Sequence, residues 1–284
     1  MAGHIVVTGG SGKLGRAVVR DLVEHGHDVV NLDRQPPADP VAPFTRIDLT
    51  DGGQVFEAMR GIDERHGGLD GVVHLAAIPA PGLATNTATF ANNALATHHV
   101  FSAARSAGIR NVVWASSETV LGLPFEAPPP YLPIDEEYAP RPESTYSLVK
   151  TLEEQMAAQF CRWDPQLKMY GLRFSNVMAP EDYAAFPSWQ DDPTARRWNL
   201  WSYIDARDGA QAVRRALQHD GTGSEVFVIA NADTVMTRPS ADLAAEVFPD
   251  VPWRREVSGT ETLMDIGKAR RVLGYEPVYS WRTS

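Results

Sequence analysis

Short apolar runs rich in β-branched residues alternate along the chain with longer stretches whose apolar positions recur at helical spacing. Ile5–Thr8, Asp28–Leu32, Arg46–Leu49, Gly71–Leu75, Asn111–Ala115, Met169–Phe174 and Val226–Ile229 read as strands. Several are apolar on both faces, as expected of parallel strands covered by helices above and below. Between them, Leu14–His25, Gln54–Arg60, Ala88–Ala107, Tyr146–Trp163, Arg207–His219 and Ser240–Val247 read as helices. This alternation predicts an α/β fold, a doubly wound parallel sheet of the Rossmann type, with ligands at the carboxyl ends of the strands.

Two segments interrupt the pattern. Leu123–Pro142 holds seven prolines, which bar a regular helix or a central strand and predict a surface loop. Ala179–Trp201 mixes charges with Trp189, Trp198 and Trp201 and has no clear period. It predicts part of a small carboxyl-terminal substrate-binding cap, with the tryptophans left open between lid and core. The resulting division gives 1–178 and 203–230 to a dinucleotide-binding core, and 179–202 and 231–284 to a small substrate-binding region.

Composition narrows the classes. The 284 residues are 43% hydrophobic and 22% charged, as in ordinary globular proteins. A formal net charge of −10 argues against nucleic acid as a partner, because phosphates would be repelled. Cys161 is the only cysteine, so neither an intrachain disulfide nor a thiolate zinc cluster can form, and it reads as packing. No apolar run has membrane-spanning length, and a strand begins almost at once at Ile5, so the expectation is no membrane partner and a cytoplasmic location. His98 and His99 are adjacent on a helix and cannot face one ion; no metal site is expected.

The chemistry begins directly after the first strand, in Thr8-Gly9-Gly10-Ser11-Gly12-Lys13-Leu14-Gly15. Gly9 permits a tight turn, Gly12 lets backbone approach a pyrophosphate, and Gly15 lets the helix pack closely on the strand. The helix that opens at Lys13 and Leu14 offers free N–H groups and a partial positive charge to phosphates. Asp33, at the end of the second strand, suits the adenosine ribose hydroxyls and would repel a 2′-phosphate, which favours NAD over NADP. Arg34 and Lys13 blur that preference, since either cation suits a 2′-phosphate; Arg34 reads better as a solvated surface charge. Tyr146 and Lys150 lie four apart on one helical face, where an ammonium lowers the pKa of a neighbouring phenol. Ser117 ends the fifth strand, either as a hydrogen-bond donor to a reacting oxygen or as a turn-stabilising hydroxyl.

With these residues in place, the chain resembles the extended short-chain dehydrogenase/reductase family, the NAD-dependent epimerase/dehydratase group, over nearly its whole length. TGGSGKLG matches the family's TGxxGxxG loop, YSLVK its YxxxK pair, and ASSETVLG its SSxxVYG segment. The resemblance implies Tyr146 as general base, Lys150 as ribose binder and pKa modifier, and Ser117 as a hydrogen-bonding catalytic residue. It further implies adenine contacts at Asp48 and Leu49, and a cofactor floor at Leu75, Ala76 and Ala77. Asn93 matches the asparagine of the long fourth helix, with Asn92 the alternative. Phe174 and Asn176 match the strand near the nicotinamide, and Arg207 the arginine that reaches the substrate. Lys268–Tyr275 matches the family's closing helix. Leu121 departs from the usual tyrosine of VYG, and Val149 from the common serine. The family also often pairs through two helices into a homodimer, and Ala88–Ala107 is compatible with that.

Ser117-Glu118-Thr119 lacks the second carboxylate of the Thr-Asp-Glu run in sugar dehydratases, which disfavours dehydration. The segments left for a substrate are short, so a small sugar, uronate or sugar acid fits better than a nucleotide sugar; uronate dehydrogenases are short members of this kind. Ser117, Glu118, Asn176 and Arg207 are the substrate-binding candidates, with Arg196 a further one that reads slightly better as a solvated charge. The expected activity is NAD-dependent hydride transfer at an alcohol or lactol carbon. A nucleotide-sugar epimerase of the UDP-glucose 4-epimerase type and a non-catalytic NAD(P)-sensing regulator are the alternatives.

Overall fold

The computed structural model describes residues 3–61 and 68–283. Chain order is β1 (His4–Thr8), α1 (Lys13–Glu24), β2 (Asp28–Asp33), β3 (Phe44–Arg46), α2 (Gly52–Arg60), β4 (Gly71–His74), α3 (Asn86–Ser106), β5 (Asn111–Ser117) and α4 (Thr145–Trp163). Then come β6 (Lys168–Phe174), β7 (Val177–Met178), β8 (Ile204–Asp205), α5 (Ala206–Gln218), β9 (Gly223–Ile229), α6 (Ser240–Val247) and α7 (Gly267–Leu273). Seven strands form one parallel sheet in the order β3-β2-β1-β4-β5-β6-β9, and β7 pairs with β8 apart from it. The order reverses between β1 and β4, the switch point at which such sheets open a crevice.

The period-2 rule explains the two-sided core. Val6 joins one apolar cluster with Val30, Val72, Phe101, Trp114 and Phe160, while its neighbours Ile5 and Val7 join the other with Leu22, Leu172 and Phe227. Trp114 is fully buried on β5, its ring 5.3 Å from that of Phe101. Gly171 on β6 makes the room: a Cβ there would lie 2.6 Å from the Trp114 ring.

Two sequence expectations change. The third strand is Phe44–Arg46, ending where Arg46–Leu49 was expected to begin; Asp48 then turns the chain by accepting from the Thr50 N–H at 2.9 Å. Leu123–Pro142 is irregular, but it is no mere surface loop, since Leu123, Phe125, Leu132 and Ile134 are buried. Prolines keep it out of any ladder, yet large apolar residues between them anchor it: Leu132 N–H donates to Pro252 O at 3.0 Å and Ile134 N–H to Leu263 O at 2.9 Å. The segments 179–202 and 231–283 share the sheet's core, because Phe186, Trp201, Leu243, Met264 and Tyr275 belong to the same cluster as Leu172 and Phe227. Among the described residues, no helix is long and apolar enough to cross a membrane.

Candidate active site

A cleft of about 760 Å³ crosses the carboxyl ends of β1, β2, β4, β5 and β6. At one end lies the glycine loop. Gly9 has a φ of +73°, and a Cβ there would sit 2.6 Å from Ala76 N; at Gly15 it would sit 2.0 Å from Gly9 O. Gly12 is different, for an added Cβ would meet only Gly9 O, at 3.4 Å, and would otherwise project into open space. Gly12 also caps α1 without any side-chain hydrogen bond, which leaves the first-turn N–H groups free for an anion. This is a cradle that a dinucleotide pyrophosphate fits.

Asp33 lines the same end, its two oxygens accepting from the N–H groups of Ser11 at 3.0 Å and Gln35 at 3.2 Å. Both cations that complicated its reading are engaged elsewhere. Arg34 donates to Asp48 at 2.7 Å and Lys13 to Asp182 at 2.5 Å. Asp33 therefore lines the cleft as an oriented carboxylate.

At the other end, Ser117 finishes β5 while Tyr146 and Lys150 stand on the first turns of α4. A reciprocal capping pair, Ser144 with Ser147, starts that helix and so fixes where Tyr146 points. Lys150 Nζ donates to Ala115 O at 2.8 Å and to Glu153 Oε2 at 2.9 Å, and lies 5.9 Å from the centre of the Tyr146 ring. Burial raises the Tyr146 phenol above its ordinary range, while the Lys150 charge and a hydrogen bond with Ser117 pull it back. Ser117 Oγ also accepts from the Thr119 N–H and hydroxyl, so it is both turn-former and site residue.

Glu118 lines the cleft and is buried, and burial lifts its carboxyl to about 7. It accepts from the Ser175 hydroxyl at 2.6 Å and from Asn199 at 3.3 Å. Beneath the site, Arg173 grips Glu154 bidentately at 2.9 and 2.8 Å, and Ser116 donates to the same carboxylate at 2.7 Å. His74, pushed down to about 3 by burial and so neutral, sits between Thr8 at 2.7 Å and Thr97 at 3.1 Å. Among the described residues no group of three or more His, Cys, Asp or Glu is placed to hold a metal ion.

The family model described as the NAD dependent epimerase/dehydratase family matches residues 5–230. The chain belongs to that family. It is 27% identical to the UDP-glucose 4-epimerase of Lactobacillus helveticus over 96% of this chain and 92% of that protein. Among solved structures, the UDP-glucose 4-epimerase of Thermotoga maritima superposes with a TM-score of 0.72 at 22% identity, covering 98% of this chain and 94% of that one. A mutated uronate dehydrogenase superposes with a TM-score of 0.70, also at 22% identity, covering 100% of this chain and 84% of that one. Both superpositions are likenesses of fold.

Most of the residues singled out in this epimerase/dehydratase chain converge on the cleft. Gly9, Gly12, Lys13, Leu14, Gly15, Asp33, Arg34, Leu49, Leu75, Ala76, Ala77, Ser117, Glu118, Tyr146, Lys150, Phe174 and Asn176 all line it. Three do not. Asp48 turns its carboxylate to Arg34 and Thr50, which hold it down at about 2, and it is the neighbours Ile47 and Leu49 that reach the cleft. Asn93 is fully buried and clamps the chain after β4, donating to Ile78 O at 3.1 Å and accepting from Ile78 N–H at 2.8 Å, whereas Asn92 lines the cleft. Arg207 pairs bidentately with Asp205 at 2.9 and 2.8 Å and lies 3.7 Å from the Tyr279 ring centre, so its fork is occupied away from the cleft.

The tryptophans divide between both roles. Trp201 is fully buried core, Trp198 lines the cleft, and Trp189 packs on Phe186. Arg196 is buried rather than solvated, lying 4.8 Å from the Trp189 ring centre and 4.7 Å from that of Trp198. Glu153 and Glu154 escaped the sequence reading. Their signal was there: acids three and four residues after Lys150 share its helical face.

Proposed function

We propose that the chain transfers a hydride between NAD and an alcohol or lactol carbon of a small sugar, uronate or sugar acid, as a cytoplasmic homodimer. The observation that carries the reading is the convergence of Ser117, Tyr146 and Lys150 on the cleft whose far end is the glycine loop. NAD, when bound, supplies the hydride acceptor or donor. Tyr146 takes the alcohol proton as the hydride leaves carbon, or returns it in the reverse direction. Lys150, held by Ala115 O and Glu153, favours the phenolate by its charge and keeps a proton for a ribose hydroxyl. Ser117 hydrogen-bonds the reacting oxygen and orients the phenol. Asn176 and Glu118 line the cleft beyond them, where a sugar's hydroxyls need acceptors and donors.

Arg196 is set back from the cleft, packed on the rings of Trp189 and Trp198, where it donates to Ser202 O at 3.1 Å and its charge bears on Glu118. The second reading, epimerisation of a nucleotide sugar, is supported by the likeness to UDP-glucose 4-epimerase along nearly the whole chain. Sensing without catalysis has less support, since a sensor has no need of a complete Ser117, Tyr146 and Lys150.

Purified protein with NAD or NADP, tested against uronates, aldoses, sugar acids and nucleotide sugars, separates these readings by reduced-cofactor absorbance. Net NAD reduction on a free sugar or sugar acid is the expected result. Tyr146→Phe should lower that rate by about 10²–10⁴-fold with NAD affinity kept. Conversion of a nucleotide sugar without net reduction, seen by NMR, would favour epimerisation, and no conversion of any compound would favour sensing.

A further inference from the structure

The buried acid next to Lys150 takes no proton in the transfer described above, although it lies within hydrogen-bond distance of the ammonium. Lys150 and Glu153 are 3% and 1% exposed, and the pair is 2.9 Å apart. Two of the three ammonium protons are thereby committed, to Ala115 O and to Glu153. The pair acts on Tyr146 as a dipole, so the phenol feels less than a full positive charge.

We propose that Glu153 is a positioning residue for the reaction: its carboxylate fixes the Lys150 ammonium and moderates the field that Lys150 exerts on Tyr146, setting where on the pH scale the phenolate forms. The inference rests on the catalytic reading of Tyr146 and Lys150. Its physical basis is distance. A lone ammonium about 6 Å from a phenol favours the phenolate by roughly two pH units at an effective dielectric of about 20, and the opposite charge bound to that ammonium takes back part of it.

The other groups around the pair leave Glu153 the dominant correction. On α4, Glu154 is already bound by Arg173 from β6. From β4 comes His74, kept neutral by burial, and from α3 the hydroxyl of Thr97, which hydrogen-bonds Glu153. After β5, Ser117 offers a neutral hydroxyl; Glu118 is the other acid that bears on Tyr146, a weaker influence than Glu153. Burial holds the Glu153 carboxyl above its ordinary range although the Lys150 ammonium pulls it down, and burial pulls the Lys150 ammonium down although Glu153 holds it above its ordinary range.

The test reads Tyr146 directly. The phenolate of NAD-saturated protein is titrated by its absorbance near 295 nm, with the Tyr146→Phe protein subtracted. Glu153→Gln, which keeps the shape and removes the charge, should move the midpoint down by about one pH unit. Glu153→Asp, which draws the carboxylate back from Lys150, should move it the same way by less, and serves alone if the Gln variant does not fold. An unchanged midpoint, or one moved upward because Lys150 had lost its own proton, overturns the proposal. Where a substrate turns over, the acid limb of the kcat/KM profile should move with the titration. The titration needs no substrate, so a shifted phenolate in a protein that converts no sugar would sink the catalytic reading and leave the Glu153 effect standing.

Discussion

The carboxylate of Asp33 stands at the end of β2 with its oxygens oriented by the N–H groups of Ser11 and Gln35. Its nearest competitors, Arg34 and Lys13, are paired with Asp48 and Asp182. A 2′-phosphate approaching this corner meets an oriented negative charge and two cations already engaged. Replacing Asp33 by Ser should therefore raise kcat/KM with NADP and lower it with NAD, moving their ratio by about tenfold or more, since 1.4 kcal/mol is tenfold and a charge contact at this range supplies about that. Equal ratios in the variant and the parent would show that the preference is set elsewhere. Asp48 and Asn93 carry the opposite lesson. Both stand in motif positions, yet a strong local partner, Arg34 for one and the Ile78 backbone for the other, claims each side chain. Sequence spacing places a residue near a site, but competition among neighbours decides where its polar atoms go.

Elements were more legible than side chains, for a physical reason. Strands buried on both faces must be continuously apolar and helices on a sheet must be periodic, so β1, β4, β5, β6 and the amphipathic helices α1 and α5 announce themselves. β3 is short and only partly buried, and so leaves a weak trace. The same holds for β7 and β8, of two residues each. The 123–142 segment hides its buried apolar residues because its partners, Pro252 and Leu263, are more than a hundred residues away. In the glycine loop the turn at Gly9 and the close packing at Gly15 were legible, and the loop yields a paired prediction. Gly15→Ala forces a Cβ to 2.0 Å from Gly9 O, a backbone atom that cannot step aside, and should destabilise the fold by about 1–3 kcal/mol as well as abolish NAD binding. Gly12→Ala has room at 3.4 Å and should keep the melting temperature while weakening NAD, because the methyl would enter the open space that a pyrophosphate would need. Calorimetry with and without NAD separates the two. Equal melting losses would mean that Gly12 is structural as well.

Among the described residues, several of the exposed large apolar side chains fall on one pair of neighbouring helices. α3 and α4 pack side by side, and on them Phe90, Leu95, Leu148, Leu152 and Trp163 are 41–51% exposed. Several large apolar residues gathered on one helix pair of a chain with net charge −10 are unusual for a monomer, which gains solubility by scattering such residues among charges. A second copy meeting the same face across a two-fold axis would bury the patch against itself and form a four-helix contact. The glycine loop and Asp33 do not depend on it, so assembly and NAD binding should come apart. Light scattering is expected to give twice the 31.1 kDa chain mass, and Leu95→Glu with Leu152→Glu to give that mass itself with NAD affinity retained. If the parent chain runs as a monomer at working concentration, α3 and α4 do not hold two copies together. Tyr146 and Lys150 begin the helix that carries Leu148 and Leu152. A dimer-breaking variant that binds NAD normally but loses turnover would therefore show that the contact also steadies the catalytic turn of α4.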